Sequence, residues 1–247
     1  MRDDEYRAMY DLEERLWWYA GMRAITAAML DRAFAQHKNP RILDIGCGTG
    51  FSLCWLRERY RSEQSFGVDL SPHAAELWRL RDLDTVAIAS AISLPFAASE
   101  FDLVTCFDVI YQLDSIGART AIAEAHRVLR PGGWLFIREP AYDWMRGAHD
   151  IAVGTKHRYT RGELKGLLAS NGFEVNRATY VNTLLFGAAA GHRLMSRIKG
   201  EESSDVKPVP QLLNTVFESA LKLESRLVGH LSFPFGLSIV ALAKKRC

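Results

Sequence analysis

Three things are scarce in this chain: paired cysteines, long apolar runs and an excess of charge of one sign. Its four cysteines (Cys47, Cys54, Cys106 and Cys247) form no C-x-x-C pair, and no histidine stands at metal-ligand spacing from them. That argues against a zinc module and against a disulfide scaffold, and predicts free thiols in a reducing, cytoplasmic setting with no metal site. No stretch approaches the roughly 18 apolar residues that would span a bilayer. The first eleven residues are charged and polar, without the apolar centre of a signal peptide. No transmembrane segment is expected, and peripheral membrane contact stays open. The formal net charge is only +2 and the basic residues are scattered. A phosphate-backbone partner normally demands a basic stripe, so no nucleic acid is expected.

What the chain does contain is alternation. Residues 41–45 (RILDI) read as a strand, followed by a glycine loop and a helical stretch to about Arg61. Residues 65–70 and 85–90 read as the second and third strands, with Pro72 placed to open a helix between them. The fourth, 101–109 (FDLVTCFDV), is apolar nearly throughout, as a strand buried on both faces should be. A helical period over 118–130 stops at Pro131-Gly132-Gly133, and 134–139 (WLFIRE) is the fifth strand. A helix over 161–170, a sixth strand over 173–181 and a last strand over 237–243 follow. Strands alternating with helices predict an α/β fold, a mostly parallel sheet between two helical layers. The fifty or so residues between the last two strands are too long for a plain turn. They predict a helical insertion serving as lid, subunit interface (hence a homodimer) or substrate wall. The chain then divides as 1–40 (N-terminal helical cap), 41–181 (core), 182–236 (insertion) and 237–247 (last strand).

The loop between the first strand and first helix is Asp44-Ile45-Gly46-Cys47-Gly48-Thr49-Gly50. Glycines there permit a tight turn and close approach of a ligand to the backbone. The helix N-terminus beyond them offers free N–H groups to an anion. A dinucleotide fingerprint would place its third glycine at position 51, which is Phe51. The observed G-x-G-x-G suits a compact amino-acid tail better than a pyrophosphate, which counts against a nicotinamide-dependent oxidoreductase. Asp69, closing the second strand, can accept hydrogen bonds from both hydroxyls of a ribose.

With DIGCGTG, GVDLS, LPF before FDLV, and RVLRPGG before the fifth strand, the segment 41–139 resembles the class I S-adenosylmethionine (SAM)-dependent methyltransferases. The resemblance implies a Rossmann-like sheet of seven strands, the last antiparallel and inserted beside the fifth. It implies SAM as cofactor, its methionine part behind Asp44 along Gly46, Gly48 and Gly50, and its ribose on Asp69. Leu70 would pack on the adenine, Ala91 and Ile92 would edge it, and Phe107 would lie near the methionine end. Where such sequences often carry Asp, four residues before Leu94-Pro95-Phe96, this chain has Ser90.

Both chain ends look like one methyltransferase subgroup. Glu14-Arg15-Leu16-Trp17-Trp18-Tyr19 with Arg23 is similar to its E-x-x-H-W-W-F…R opening, with Leu16 in place of the usual His. His157-Arg158-Tyr159-Thr160, Tyr180-Val181-Asn182 and Pro234-Phe235-Gly236 also match, whereas Gln112 stands where a His is common. This implies a methyltransferase acting on a small, rather apolar acceptor such as a lipid, glycan-lipid or natural-product precursor. A non-catalytic SAM-binding subunit is the alternative. Acceptors sit beyond the carboxyl edge of such sheets. Trp18, Tyr19, Tyr111, Gln112, Tyr142 and Tyr159 are the candidate wall of that pocket. His149 and His157 are the candidate bases, because imidazole titrates near neutral pH.

Overall fold

A computed structural model describes residues 3–34, 37–199 and 209–246. The chain opens with helices α1 (Asp3–Leu12) and α2 (Trp17–Phe34). It then alternates β1 (Arg41–Ile45), α3 (Phe51–Tyr60), β2 (Gln64–Asp69), α4 (Pro72–Leu80), β3 (Val86–Ile88), β4 (Phe101–Phe107) and α5 (Ser115–Val128). Then come β5 (Leu129–Pro140), α6 (Ala148–Val153), α7 (Arg161–Ser170), β6 (Phe173–Val181), α8 (Phe186–Lys199), α9 (Gln211–Val228) and β7 (Ser238–Lys245). Among the described residues these strands form one seven-stranded sheet in the order β3-β2-β1-β4-β5-β7-β6. β7 runs antiparallel between β5 and β6, and the remaining pairs are parallel. The expected Rossmann-like sheet, with its last strand reversed beside the fifth, is the observed one.

Local chemistry explains the element ends. The Ser71 hydroxyl accepts the His73 N–H with Pro72 in the first turn of α4, where a missing N–H costs nothing. Asp114 caps α5 through the Gly117 N–H at 2.7 Å. Thr160 and Glu163 close a capping box on α7. The helix α5 ends at Val128, earlier than the 118–130 pattern predicts, because Leu129 already pairs with Phe101. The Pro131-Gly132-Gly133 turn then appears as a bulge in the ladder between Phe101 and Leu103.

Side chains alternate across the sheet, so neighbouring strand residues feed two cores. Leu43, Val104, Leu135 and Ala241 pack with α5 and α7 on one face. Ile42, Leu103, Phe136 and Val240 pack with α2 and α9 on the other. The insertion is helical as expected, and its two helices divide the work. Helix α9 lies along α2, so closely that a Cβ on Gly21 would stand 2.3 Å from Leu221. Trp17 meets Phe217 at 5.2 Å between ring centroids, and the Trp17 backbone N–H donates to Asn214 Oδ1 at 2.9 Å. Helix α8 instead contributes Ala188 and Ala189 to the wall of the large cavity described next. Residues 200–208, most of the polar stretch of the insertion, lie outside the described residues. No helix of the described residues is long and apolar enough to cross a membrane.

Candidate functional site

A cavity of about 1200 Å³ opens along the carboxyl edge of the sheet. Strand order divides it. The ends of β2, β1 and β4 bring Asp69, Gly46, Gly48 and Phe107 to one half, and the ends of β5, β7 and β6 bring Pro140, Ser238 and Asn182 to the other.

In the first half the glycines serve different needs. Gly46 (φ 71°) and Gly50 (φ 83°) occupy the left-handed region, and a Cβ at either would stand 2.3 Å from Val109 or Leu83. Gly48 (φ 54°) is left-handed as well, but a Cβ there would meet nothing nearer than 3.8 Å; it presents its backbone to the cavity and donates its N–H to Asp69 Oδ2 at 2.9 Å. The other oxygen of Asp69 accepts the Ser71 N–H and the Tyr6 hydroxyl. Asp44 is fully buried. Its Oδ1 accepts the Thr105 hydroxyl at 2.7 Å, while its Oδ2 has no partner. Burial lifts this carboxyl to about 7, against the pull of the Thr105 bond and of Arg138. Leu70 is exposed and borders the cavity, an apolar face open to a planar ring, and Ala91 borders it too. Ile92 and Gly50 are not among the lining residues.

Four of the expected wall residues do line the cavity: Trp18, Tyr19, Tyr111 and Gln112. Burial and nearby carboxylates raise the phenols of Tyr19 and Tyr111, so both are donors at neutral pH. Tyr111 is set by Glu139, whose buried carboxylate accepts the N–H groups of Val109, Ile110 and Tyr111 at 3.1–3.3 Å. Tyr142 and Tyr159 do not line it. The Tyr142 ring stacks on Tyr180 at 5.0 Å, and Tyr159 is buried beside the main core.

The histidines separate. His157 lies outside the cavity, 3.2 Å from Asp143 and 3.5 Å from Glu163. The reason is the register of its segment: the N–H groups of Lys156 and His157 both bond the Tyr111 carbonyl, and the neighbouring Arg158 is the residue turned inward, paired with Asp150 at 2.7 Å. The side chain of His149 lies outside the described residues, though α6, which carries it, gives Asp150 and Val153 to the lining.

Residues with no role in the sequence reading also stand here. Arg23, half-buried on α2, borders the cavity with its guanidinium 4.7 Å from the Phe51 ring and one N–H on the Glu13 carbonyl. Its place in the opening motif was the available signal. Arg138 bonds Asp108 at 2.9 Å and lies over Trp18 at 4.7 Å. Tyr6 comes from α1 and Glu13 from the turn that follows it, and neither carries a sign of a site in the sequence. Glu13 is buried, accepts the Thr49 hydroxyl and pairs with Arg81.

The sheet order, the glycine loop and the carboxylate on the second strand are those of the class I methyltransferase fold. The sequence model of the Methyltransferase domain family matches residues 43–137, and that segment belongs to the family. The chain is 32% identical, over 62% of its length, to a malonyl-(acyl-carrier protein) O-methyltransferase of Geobacter sulfurreducens, of which it covers 63%. It spans less than two thirds of the length of such curated relatives. Among solved structures it superposes on an S-adenosylmethionine-dependent methyltransferase of Mesorhizobium loti with TM-score 0.60 and 17% identity, covering 92% of this chain and 98% of that one. The cyclase SpnF aligns with TM-score 0.57 and 21% identity, over 91% and 80% of the two chains. A cyclase on the same architecture means that the fold alone does not select the reaction.

Proposed function

We propose that the chain is a SAM-dependent methyltransferase acting on a small, largely apolar acceptor. The carrying observation is the buried, unpartnered Asp44 Oδ2, which borders the same cavity as Asp69, the Gly48 backbone and Arg23. This donor and acceptor set fits SAM. Asp44 would take the ammonium, Arg23 the carboxylate, Asp69 the ribose hydroxyls, and Leu70 and Ala91 the adenine, with Phe107 beside the methionine end. SAM, when bound, supplies an electrophilic methyl group on sulfur. The protein's share is to hold the acceptor in line and keep water out. Met145, Val153, Leu185, Ala188, Ala189 and Leu237 give the far half an apolar wall, which is the support for an apolar acceptor. The named relative, a malonyl-(acyl-carrier protein) O-methyltransferase, fits the same class of transfer to a small group. For a hydroxyl acceptor, His149 is the histidine we assign to draw off the proton.

Calorimetry and a labelled-methyl assay test this. The protein should bind SAM and its demethylated product, should not bind NAD, and should transfer label into a component of a small-molecule extract. Asp69→Ala should lose about 1–3 kcal/mol of SAM affinity, as for other hydrogen bonds to a charged group. Binding of NAD, or unchanged SAM affinity in that variant, would sink the reading.

A further inference from the structure

We propose that Asn182 determines acceptor specificity: its carboxamide oxygen accepts a hydrogen bond from an O–H or N–H group of the methyl acceptor. The inference rests on the methyltransferase reading and adds a chemical requirement to it. An acceptor that is hydrocarbon throughout would not satisfy this site.

Asn182 is the first residue beyond β6. The ladder pairs Val181 with Ser238 and Ser238 with Pro140, which sets Asn182 at the carboxyl edge of the sheet, in the half of the cavity away from Asp69. Its backbone has φ 62°, a left-handed conformation that asparagine tolerates better than most residues. That turn is held from below. Glu224, fully buried on α9, accepts the N–H of Asn182, of Thr183 at 2.8 Å and of Leu184 at 3.2 Å. The Thr183 hydroxyl adds a bond to the Phe235 carbonyl at 2.6 Å. Gly236 lets the returning chain close over β6, since a Cβ there would stand 2.3 Å from the Val181 carbonyl oxygen. Three anchors therefore fix one turn, and the side chain they position is 1% exposed with an oxygen that bonds nothing.

An unpaired buried oxygen costs about 1–3 kcal/mol and calls for a reason. The neighbours supply one. Leu185, Ala188, Ala189 and Leu237 border the same cavity, and Asp150 and Arg158, which also line it, are paired with each other, so this amide oxygen is an unpaired polar group set among apolar ones. Such groups fix the orientation of a bound molecule, and a ligand lacking the matching donor leaves them unpaired.

The test uses the full chain with methyl-labelled SAM and a polarity-fractionated small-molecule extract as the acceptor source. Asn182→Gly keeps the left-handed turn at no steric cost and removes only the amide. Asn182→Asp keeps an oxygen in the same place. The expected result is a fall of about tenfold in kcat/KM for the active fraction in Asn182→Gly, with KM for SAM unchanged. Asn182→Asp should stay within about threefold of the parent. Wild-type kcat/KM for the fraction in Asn182→Gly would overturn the proposal, as would a matching rise in KM for SAM, which marks a merely structural role. If the parent protein binds SAM yet labels nothing in any fraction, the methyltransferase reading itself falls, and this proposal with it.

Discussion

The phenol of Tyr6 donates a 2.8 Å hydrogen bond to Asp69 Oδ1, joining the first helix to the carboxylate assigned to the cofactor ribose across 63 positions of sequence. Burial, and the charge of Asp69 beside it, raise the Tyr6 phenol, so it stays a proton donor throughout the physiological range. It thus occupies an acceptor that a ribose hydroxyl on Asp69 would also use. The same helix puts Met9 over Gly48, and the turn after it puts Glu13 on Thr49. Tyr6→Phe should therefore separate folding from binding. The unliganded variant should melt lower, with a loss of about 1–2 kcal/mol for a bond to a charged acceptor. Its SAM affinity, read by calorimetry, should equal or exceed that of the parent. A weaker complex would mean that Tyr6 contacts the ligand rather than standing in for it.

With Asp44 on the cofactor's ammonium, as proposed, cofactor binding should have a pH limit. Its carboxyl, pushed up to about 7 by burial, is neutral in acid and charged above that point. A ligand ammonium is attracted only by the charged form. Affinity for SAM should therefore rise as pH increases through about 7, and fall again above about 8 as the ligand's α-amino group deprotonates. Stability runs the other way. The folded pKa lies above the unfolded one, so the unliganded protein loses stability from this group as pH climbs from about 4 to about 7. Calorimetric titrations at about pH 6 and about pH 8 check the first point. Asp44→Asn should lower affinity at both and abolish the acid limb.

How much of this was legible beforehand depends on how local the signal is. Residues 41–45 announce themselves because a buried parallel strand is an apolar run, and the helix 161–170 and the antiparallel edge strand 173–181 also match their elements end to end. That Gly46, Gly48 and Asp69 meet at one cavity was legible because glycine spacing and a strand-end carboxylate act through backbone geometry. The make-up of the opposite wall was not. Whether Tyr142 or Tyr111 faces the cavity depends on the three N–H groups that Glu139 gathers and on a stack with Tyr180. Neither leaves a pattern in the sequence. The part of α9 was hidden for the same reason, since a lid and a core helix share one amphipathic period, and contacts such as Gly21 against Leu221 and Trp17 against Phe217 distinguish them.

Glu139 offers a measure of that hidden framework. Fully buried, it gathers the backbone of the turn after β4 and carries no charged partner among its hydrogen bonds. Glu139→Ala would leave three inward-facing N–H groups unpaired, a loss of about 3 kcal/mol. For a chain of this size, that corresponds to a fall of about 6–12 °C in Tm. Glu139→Gln keeps one accepting oxygen and should lose less. Calorimetric melting of the three proteins side by side checks the order. Equal melting of Glu139→Ala and the parent would mean that water or a rearranged turn satisfies those groups.

The two histidines should part company in turnover. His157 sits between Asp143 and Glu163 at the surface, and its ring packs edge-on against Tyr159 at 4.7 Å. Its imidazole is thus spent on carboxylates outside the cavity, and exposed pairs of this kind are worth little. His157→Ala should keep kcat within about threefold of the parent, because no proton of the acceptor is in reach. His149 is carried by the helix that gives Asp150 and Val153 to the cavity. If the acceptor is a hydroxyl and this imidazole draws off its proton, His149→Ala should lower kcat by about 10²–10⁴ with SAM affinity unchanged. The loss should be partly recovered as pH rises, since added hydroxide or an ionised acceptor replaces the missing base. A parent-like kcat in His149→Ala at saturating SAM and acceptor would leave positioning alone as the source of rate. A large loss in His157→Ala would mean that its segment turns inward when the cavity fills.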